Sequence, residues 1–248
     1  RSDRLWTAAD AQAIAQACRG GPASVTEESK PSTQASPLLY DLTTLQREAN
    51  SRFGFSAKTT LSIAQALYEK HKVLTYPRTD SRHLPEDYVP TVRKTFEMLA
   101  DSDLPGPLRA LSAHARVALN GNYIKPMKKV FDNAKVSDHF AIIPTLQAPK
   151  SLTEIEAKLY DLVVKRFLAV FFPSAEFMET TRTSVVEVAV AAPINALHTP
   201  SPAALKRQHF ITRGKVLVKP GWLAVYGKES QDEDAGTLVA VAAGEIVQ

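Results

Sequence analysis

The sequence predicts an α+β fold in which a mainly helical domain is inserted into a β-rich one. Two observations lead there. From about residue 42 to residue 171 apolar side chains recur at the three-to-four spacing of amphipathic helices, and beyond Pro173 the period changes to two. A strand-like stretch, Ala23 to Glu28, stands ahead of the helices and is expected to pair with the later strands. The chain would therefore cross between domains near Ser36 and Lys150, dividing into residues 1–35, 36–150 and 151–248.

In order along the chain, Thr7 caps a helix whose Ala11, Ile14 and Cys18 follow helical spacing, and Gly20 with Gly21 ends it at a left-handed position. After the Ala23 to Glu28 strand, the polar run Ser29 to Pro37 reads as the first crossing. Thr43 and Gln46 form a capping box for a helix that stops at Gly54. Ser56 caps the next, about Ala57 to Lys72, with Leu61, Ala64, Leu67 and Tyr68 on one face and Lys70, His71 and Lys72 in its last turn. Val73, Leu74 and Thr75 make a short run into Tyr76. Pro85 opens a helix to about Ala100 and Pro107 another to about Leu119, after which residues 120–149 turn irregular and basic. Ser151 and Glu154 form a second capping box ahead of a helix from Leu152 to Phe171, which stops before Pro173. Thr181 to Val190, His209 to Thr212, Lys215 to Val218 and Trp222 to Tyr226 read as strands, and the proline-bearing interval 191–208 as a loop or insertion.

Composition narrows the function classes. With 44% hydrophobic and 23% charged residues the chain is neither disordered nor membrane-spanning in character. Its longest apolar stretch, Leu162 to Phe172, is broken by Lys165 and Arg166 and is too short to cross a bilayer. The amino terminus does not resemble a signal peptide, and the single cysteine, Cys18, allows no internal disulfide, which suits a reducing cytosol. No methionine precedes Met98, so the sequence reads as part of a longer product. The net charge of +4 is concentrated between Ser36 and Lys150, where 16 Lys and Arg face 11 Asp and Glu, a bias toward polyanions.

Thr75-Tyr-Pro-Arg-Thr-Asp-Ser81 is the most informative stretch. In extended backbone Tyr76 and Arg78 project to one face while Thr75 and Pro77 project to the other, and Pro77 suits a strand end because it lacks a donor. A phenol is a poor nucleophile at neutral pH, but a guanidinium beside it stabilises the phenolate and can grip a phosphate through two parallel hydrogen bonds. For a bare Tyr-x-Arg, a surface tyrosine packed on an arginine would be the ordinary explanation.

The motif is not bare. Together with Leu42-Thr-Thr-Leu-Gln-Arg-Glu-Ala-Asn50, Phe53-Gly-Phe-Ser56 and Ala64-Gln-Ala-Leu-Tyr-Glu69 upstream, and Ser137-Asp-His-Phe-Ala-Ile-Ile-Pro-Thr145 and Gly221-Trp222 downstream, it resembles the type IA DNA topoisomerases, with a wording that leans toward the topoisomerase III branch. The resemblance implies a helical catalytic-tyrosine domain inserted into a β-rich hinge. It further implies that Tyr76 forms a 5′-phosphotyrosine link to one strand, that Arg78 holds the scissile phosphate, and that His139 contacts the DNA backbone. Asp80 and Ser81 are lesser candidates for holding the site, and Gln46 for touching the strand. Each has an ordinary structural explanation as well: a turn or helix cap for Asp80 and Ser81, a capping partner for Gln46, a partly buried ring for His139.

In that family an amino-terminal Toprim domain supplies a glutamate, a lysine and an acidic Mg²⁺ cluster. Nothing here matches them, and Asp232, Glu233 and Asp234 read as a solvated loop. The resemblance thus implies a chain that binds single-stranded DNA weakly, contains no cofactor of its own, does not cleave without its Toprim domain and Mg²⁺, and works as a cytoplasmic, nucleoid-associated monomer. Tyrosine recombinases would need several dispersed arginines and histidines, and rolling-circle nucleases a His-x-His pair that this sequence lacks. A non-catalytic single-stranded DNA-binding module stays open as the alternative, although only Tyr123 stands near the basic cluster Lys125, Lys128 and Lys129.

Overall fold

A computed structural model of the chain describes residues 5–101, 108–190, 204–227 and 246–247. It is α+β and divides into two compact units: Arg1–Ser32, Phe177–Leu217 and Gln231–Gln248 form one, Thr33–Glu176 and Val218–Ser230 the other. No helix among the described residues is long and apolar enough to cross a membrane.

In the first unit, α1 (Ala8–Cys18) starts at Thr7, whose hydroxyl accepts the Asp10 N–H, and ends ahead of Gly20 at φ +74°. None of its residues is buried. Cys18 and Val188 pack against a small core of Ala23, Val25 and Val186. The sheet contains β1 (Ala23–Gln34), β2 (Ala175–Val190), β3 (Ala204–Lys219) and the short β4 (Ile246–Val247) in the order β3-β2-β1-β4. Side-chain pairs run in opposite order along neighbouring strands: Glu27–Arg182, Ser29–Thr180 and Ser32–Glu179 between β1 and β2, then Glu187–Arg207 and Glu179–Lys215 between β2 and β3. Both pairs of strands are therefore antiparallel.

Several expectations need correction here. Ser29 to Gln34 continue β1 instead of forming a loop, because the hydroxyls of Ser29 and Ser32 find partners on β2. β3 is one strand rather than two, and Gly214 lies within it. The divisions between units fall inside β1, β2 and β3 rather than in loops near Ser36 and Lys150. The second lies at Glu176 because α6 belongs with the helices. The stretches 102–107, 191–203 and 228–245, with the Pro107 start, most of the 191–208 insertion and the Asp232 to Asp234 run, lie outside the described residues.

The second unit is helical: α2 (Leu42–Phe53), α3 (Ala57–Glu69), α4 (Val89–Leu99), α5 (Leu108–Asn120) and α6 (Glu154–Ala169). α6 packs against α2, α3 and α5. Ten of its sixteen residues are buried, so it is a core element of this unit. Phe167 meets Phe96 of α4 at 5.1 Å between centroids and Phe171 at 5.7 Å.

Both capping boxes lie two residues from where the sequence suggested. α2 is capped by Asp41 with Thr44, and its first N–H, that of Leu42, donates to the Thr79 carbonyl at 3.0 Å. α6 is capped by Thr153 with Glu156, whose other oxygen meets His71 at 3.1 Å. Each sequence offers two overlapping boxes, and a tertiary partner selects one. Although burial opposes it, the Glu156 carboxyl is held below its usual value by the Thr153 N–H and hydroxyl and by His71. α3 stops at Glu69, short of the expected Lys72, and Lys72 itself turns the chain at φ +60°.

Trp222 to Tyr226, expected as a strand, is a 3-10 turn over Gly221–Tyr226 with Trp222 and Val225 buried. The Trp222 backbone N–H donates to the Pro173 carbonyl and its indole to the Gln34 carbonyl, at 3.0 and 2.9 Å. Gly221 permits this approach: at φ +50°, a Cβ would sit 2.5 Å from the Ser174 oxygen and 2.6 Å from that of Pro173. Gly227, at φ +78°, has open space instead. Gly221→Ala should therefore lower unfolding stability by about 3 kcal/mol and Gly227→Ala by about 1 kcal/mol, measured by urea titration. Equal losses would show that backbone conformation alone, and not the close approach, sets the requirement.

Candidate active site around Tyr76

Two stretches separated by more than sixty residues meet at Tyr76. Thr75 N–H donates to the Ile143 carbonyl and Thr145 N–H to the Val73 carbonyl, both at 3.0 Å, and Leu74 pairs antiparallel with Pro144. The pairing is a single bridge: the Ile143 N–H, which a continuing ladder would direct to the Thr75 carbonyl, goes to the Thr75 side chain. The Thr75 hydroxyl reinforces it by donating to the Ala141 carbonyl at 3.0 Å and accepting the Ile143 N–H at 2.9 Å.

Beyond the bridge the chain bends at Pro77 and burial alternates: Pro77, Thr79 and Ser81 point inward, Arg78 and Asp80 are exposed, and Tyr76 is half-buried. This places Tyr76, Arg78 and Asp80 on the outward side, as the period of two implies. The Tyr76 ring lies 4.3 Å from the His139 ring, tilted by 40°, and meets Tyr68 of α3 edge-on at 5.4 Å. The Lys72 ammonium stands 5.8 Å over the Tyr68 ring. His139 is held through its backbone, whose carbonyl accepts the Thr79 hydroxyl at 3.3 Å, so its imidazole remains exposed toward Tyr76.

The structure thus brings Tyr76 and His139 together and leaves Arg78 exposed with no hydrogen bond or ion pair among the described residues. Asp80 is exposed and accepts the Ser137 hydroxyl at 3.5 Å, linking the two motifs. Ser81 is only 5% exposed. Its hydroxyl donates to the Lys135 carbonyl at 2.8 Å and accepts the His83 N–H at 3.2 Å, so it holds the loop rather than facing a ligand. Gln46 donates to the Ala57 carbonyl at the start of α3, and that bond does not run to Tyr76. Sequence reasoning missed Tyr68, read only as part of one face of its helix, and the hydroxyls of Thr75 and Thr79. The signal for the two threonines was their parity opposite Tyr76 and Arg78.

Among the described residues no group of three His, Cys, Asp or Glu side chains stands together. The arrangement presents a phenol against an imidazole, with an uncommitted guanidinium two residues on. Such a set can hold an anionic phosphoryl group beside a tyrosine oxygen.

Comparison with known proteins bears on this geometry. The family profile described as DNA topoisomerase matches residues 1–248. Among curated relatives, the DNA topoisomerase 3 of Bacillus licheniformis is 41% identical over 235 residues, covering 93% of this chain and 28% of that protein. The DNA topoisomerase 3 of Bacillus cereus is 45% identical over 202 residues, covering 80% and 24%. The chain thus spans about a quarter of the length of the relatives it matches. Among solved structures, full-length topoisomerase I from Thermotoga maritima shares the fold, with a TM-score of 0.60 at 22% identity over 99% of this chain and 35% of that one.

His83, beside Ser81, provides a pH test of the loop that carries the motif. Burial pushes its imidazole below the usual value, Lys135 adds to this, and Asp132 opposes it. A folded pKa below the unfolded one means that the unfolded chain binds more protons. The contribution is therefore complete above the unfolded value of 6.5 and is lost as pH falls below it toward the folded value. His114, lowered by burial and by Lys165, acts with the same sign. His83→Gln should flatten the fall of the urea midpoint between about pH 7 and 5, His114→Gln should flatten the remainder, and an unchanged profile in both would refute the assignment.

Proposed function

Because the chain belongs to the type IA DNA topoisomerases and is similar to topoisomerase III, we propose that Tyr76 is the nucleophile by which the whole enzyme cuts and reseals one DNA strand. The observation that carries the reading is the apposition of Tyr76 and His139, with Arg78 exposed on the same side of the motif.

In the proposed step the Tyr76 oxygen attacks a backbone phosphorus and forms a P–O bond while the bond to the 3′ oxygen breaks. This leaves a 5′-phosphotyrosine and a 3′-hydroxyl. Bond energy is retained, so the reverse attack reseals the strand without ATP, after another strand has passed through the gap. Arg78 grips the non-bridging oxygens and offsets their charge, and His139 contacts the same backbone. Tyr68 and His139 both contact the Tyr76 ring and so fix the direction of attack. The group that takes the phenol proton, and the Mg²⁺ site, are assigned to a Toprim domain of the same polypeptide. The substrate is single-stranded DNA, the enzyme acts as a cytoplasmic monomer, and this chain alone binds the strand weakly without cleaving it.

The test is covalent capture of end-labelled single-stranded DNA by the chain alone, by the chain with a separately made Toprim portion and Mg²⁺, and by that mixture with Tyr76→Phe. Capture is expected only in the second. Arg78→Gln in that mixture should slow capture by at least about a hundredfold. Label on the chain alone, or on the Phe variant, would refute the assignment. DNA binding without capture under every condition would favour the non-catalytic binding module.

A further inference from the structure

The segment that carries Tyr76 and Arg78 leads to a cavity of about 350 Å³ lined by Thr44, Arg47, Glu48, Arg82 and Arg166. Three arginines therefore line one space. The guanidinium of Arg166 is committed: it donates to the Leu38 carbonyl at 3.0 Å and to the Tyr226 hydroxyl at 3.3 Å, and it pairs with Glu48. Glu48 is shared further with Arg52 at 2.9 Å, so its charge is already met. The Thr44 hydroxyl is taken up by Asp41.

The other two arginines are not satisfied in this way. Arg47 is exposed and has no hydrogen bond or ion pair among the described residues. Arg82 uses its Nε, on the Leu39 carbonyl at 3.1 Å, and has no carboxylate partner among the described residues. Two planar cations thus line one cavity with no anion of their own, an arrangement whose repulsion is relieved when an anion enters. Paired guanidinium forks match the oxygens of a phosphate better than those of a rounder anion.

We infer that Arg47 and Arg82 hold a phosphodiester of the DNA strand at a position removed from the one attacked by Tyr76. This rests on the reading of Tyr76 as the seat of a strand. Position in the fold argues for a strand rather than a free phosphate. Arg82 shares the outward parity of Tyr76, Arg78 and Asp80, and six residues of extended chain span at most about 20 Å. α2, which carries Arg47, is pinned to the same segment by the bond from Leu42 N–H to the Thr79 carbonyl. A strand lying on Tyr76 and continuing along the motif would therefore pass over the cavity.

The test measures single-strand binding against salt concentration for two oligonucleotides, one too short to reach about 20 Å beyond its bound phosphate and one long enough. For the long one, Arg47→Gln and Arg82→Gln should each weaken binding about tenfold. Each should also reduce the slope of log affinity against log salt by about 0.7. The short one should bind the variants as it binds the parent. Arg47 is exposed and makes no hydrogen bond or ion pair among the described residues, so its variant separates binding from folding, and Arg82→Lys should keep most of the slope. If Arg78→Gln weakens both oligonucleotides while Arg47→Gln and Arg82→Gln alter neither, this inference fails and the function stands. If Arg78→Gln alters neither, the function itself fails. If inorganic phosphate raises the unfolding midpoint of the parent but not of Arg47→Gln, while oligonucleotide binding is unchanged, the cavity takes a free anion and the strand assignment is overturned.

Discussion

The site depends on the pairing of Val73 to Thr75 with Ala141 to Thr145. The two stretches do not form a regular ladder, because Pro77 lacks the donor that would continue it and the Ile143 N–H turns to the Thr75 hydroxyl, and what remains is one bridge at Leu74 and Pro144. The Thr75 side chain takes the place of the missing ladder by accepting from Ile143 and donating to Ala141. Tyr76 is the first residue beyond the bridge and His139 lies two residues before Ala141, so the same pairing that closes the loop sets the two rings against each other. α4 and α5 lie between the two stretches in the chain and must pack so that this return is possible.

That pairing is in turn tied to the helical body through a buried cation. Arg166 on α6 is 7% exposed, and a guanidinium taken so far from water is costly unless its donors are met and its charge is offset. Here the group lies 4.2 Å over the Tyr40 ring and bonds to Leu38, Glu48 and Tyr226. Tyr40 then bridges to Ile142, whose N–H donates to its carbonyl at 2.8 Å. A continuous path of contacts therefore runs from α6 through Tyr40 to the strand-like return that holds Tyr76. The position of α6 within the helical unit, rather than beyond a crossing near Lys150, follows from the same contacts.

The proposed chemistry is divided unevenly along the polypeptide. In that proposal the described residues supply the tyrosine and the arginine, and no group of three His, Cys, Asp or Glu side chains stands among them. The 16 basic against 11 acidic residues between Ser36 and Lys150 agree with a surface that attracts a polyanion.

The sequence by itself determined what depends on local chemistry. Thr7 and Ser56 were legible as caps and Gly20 and Gly54 as left-handed stops, since each acts on its own neighbours. The alternation from Tyr76 to Ser81 was legible for the same reason, and two long motifs in order pointed to the family. Tertiary structure decided the rest. Asp41 prevailed over Thr43 because Thr79 receives the first N–H of α2, and Thr153 over Ser151 because Glu156 also reaches His71. Trp222 left the strand period for a 3-10 turn because the carbonyls of Pro173 and Gln34 claim its donors. Likewise, the roles of Tyr68 and Ser81 depend on which distant groups they meet, and such partners are set by packing between residues far apart in the chain.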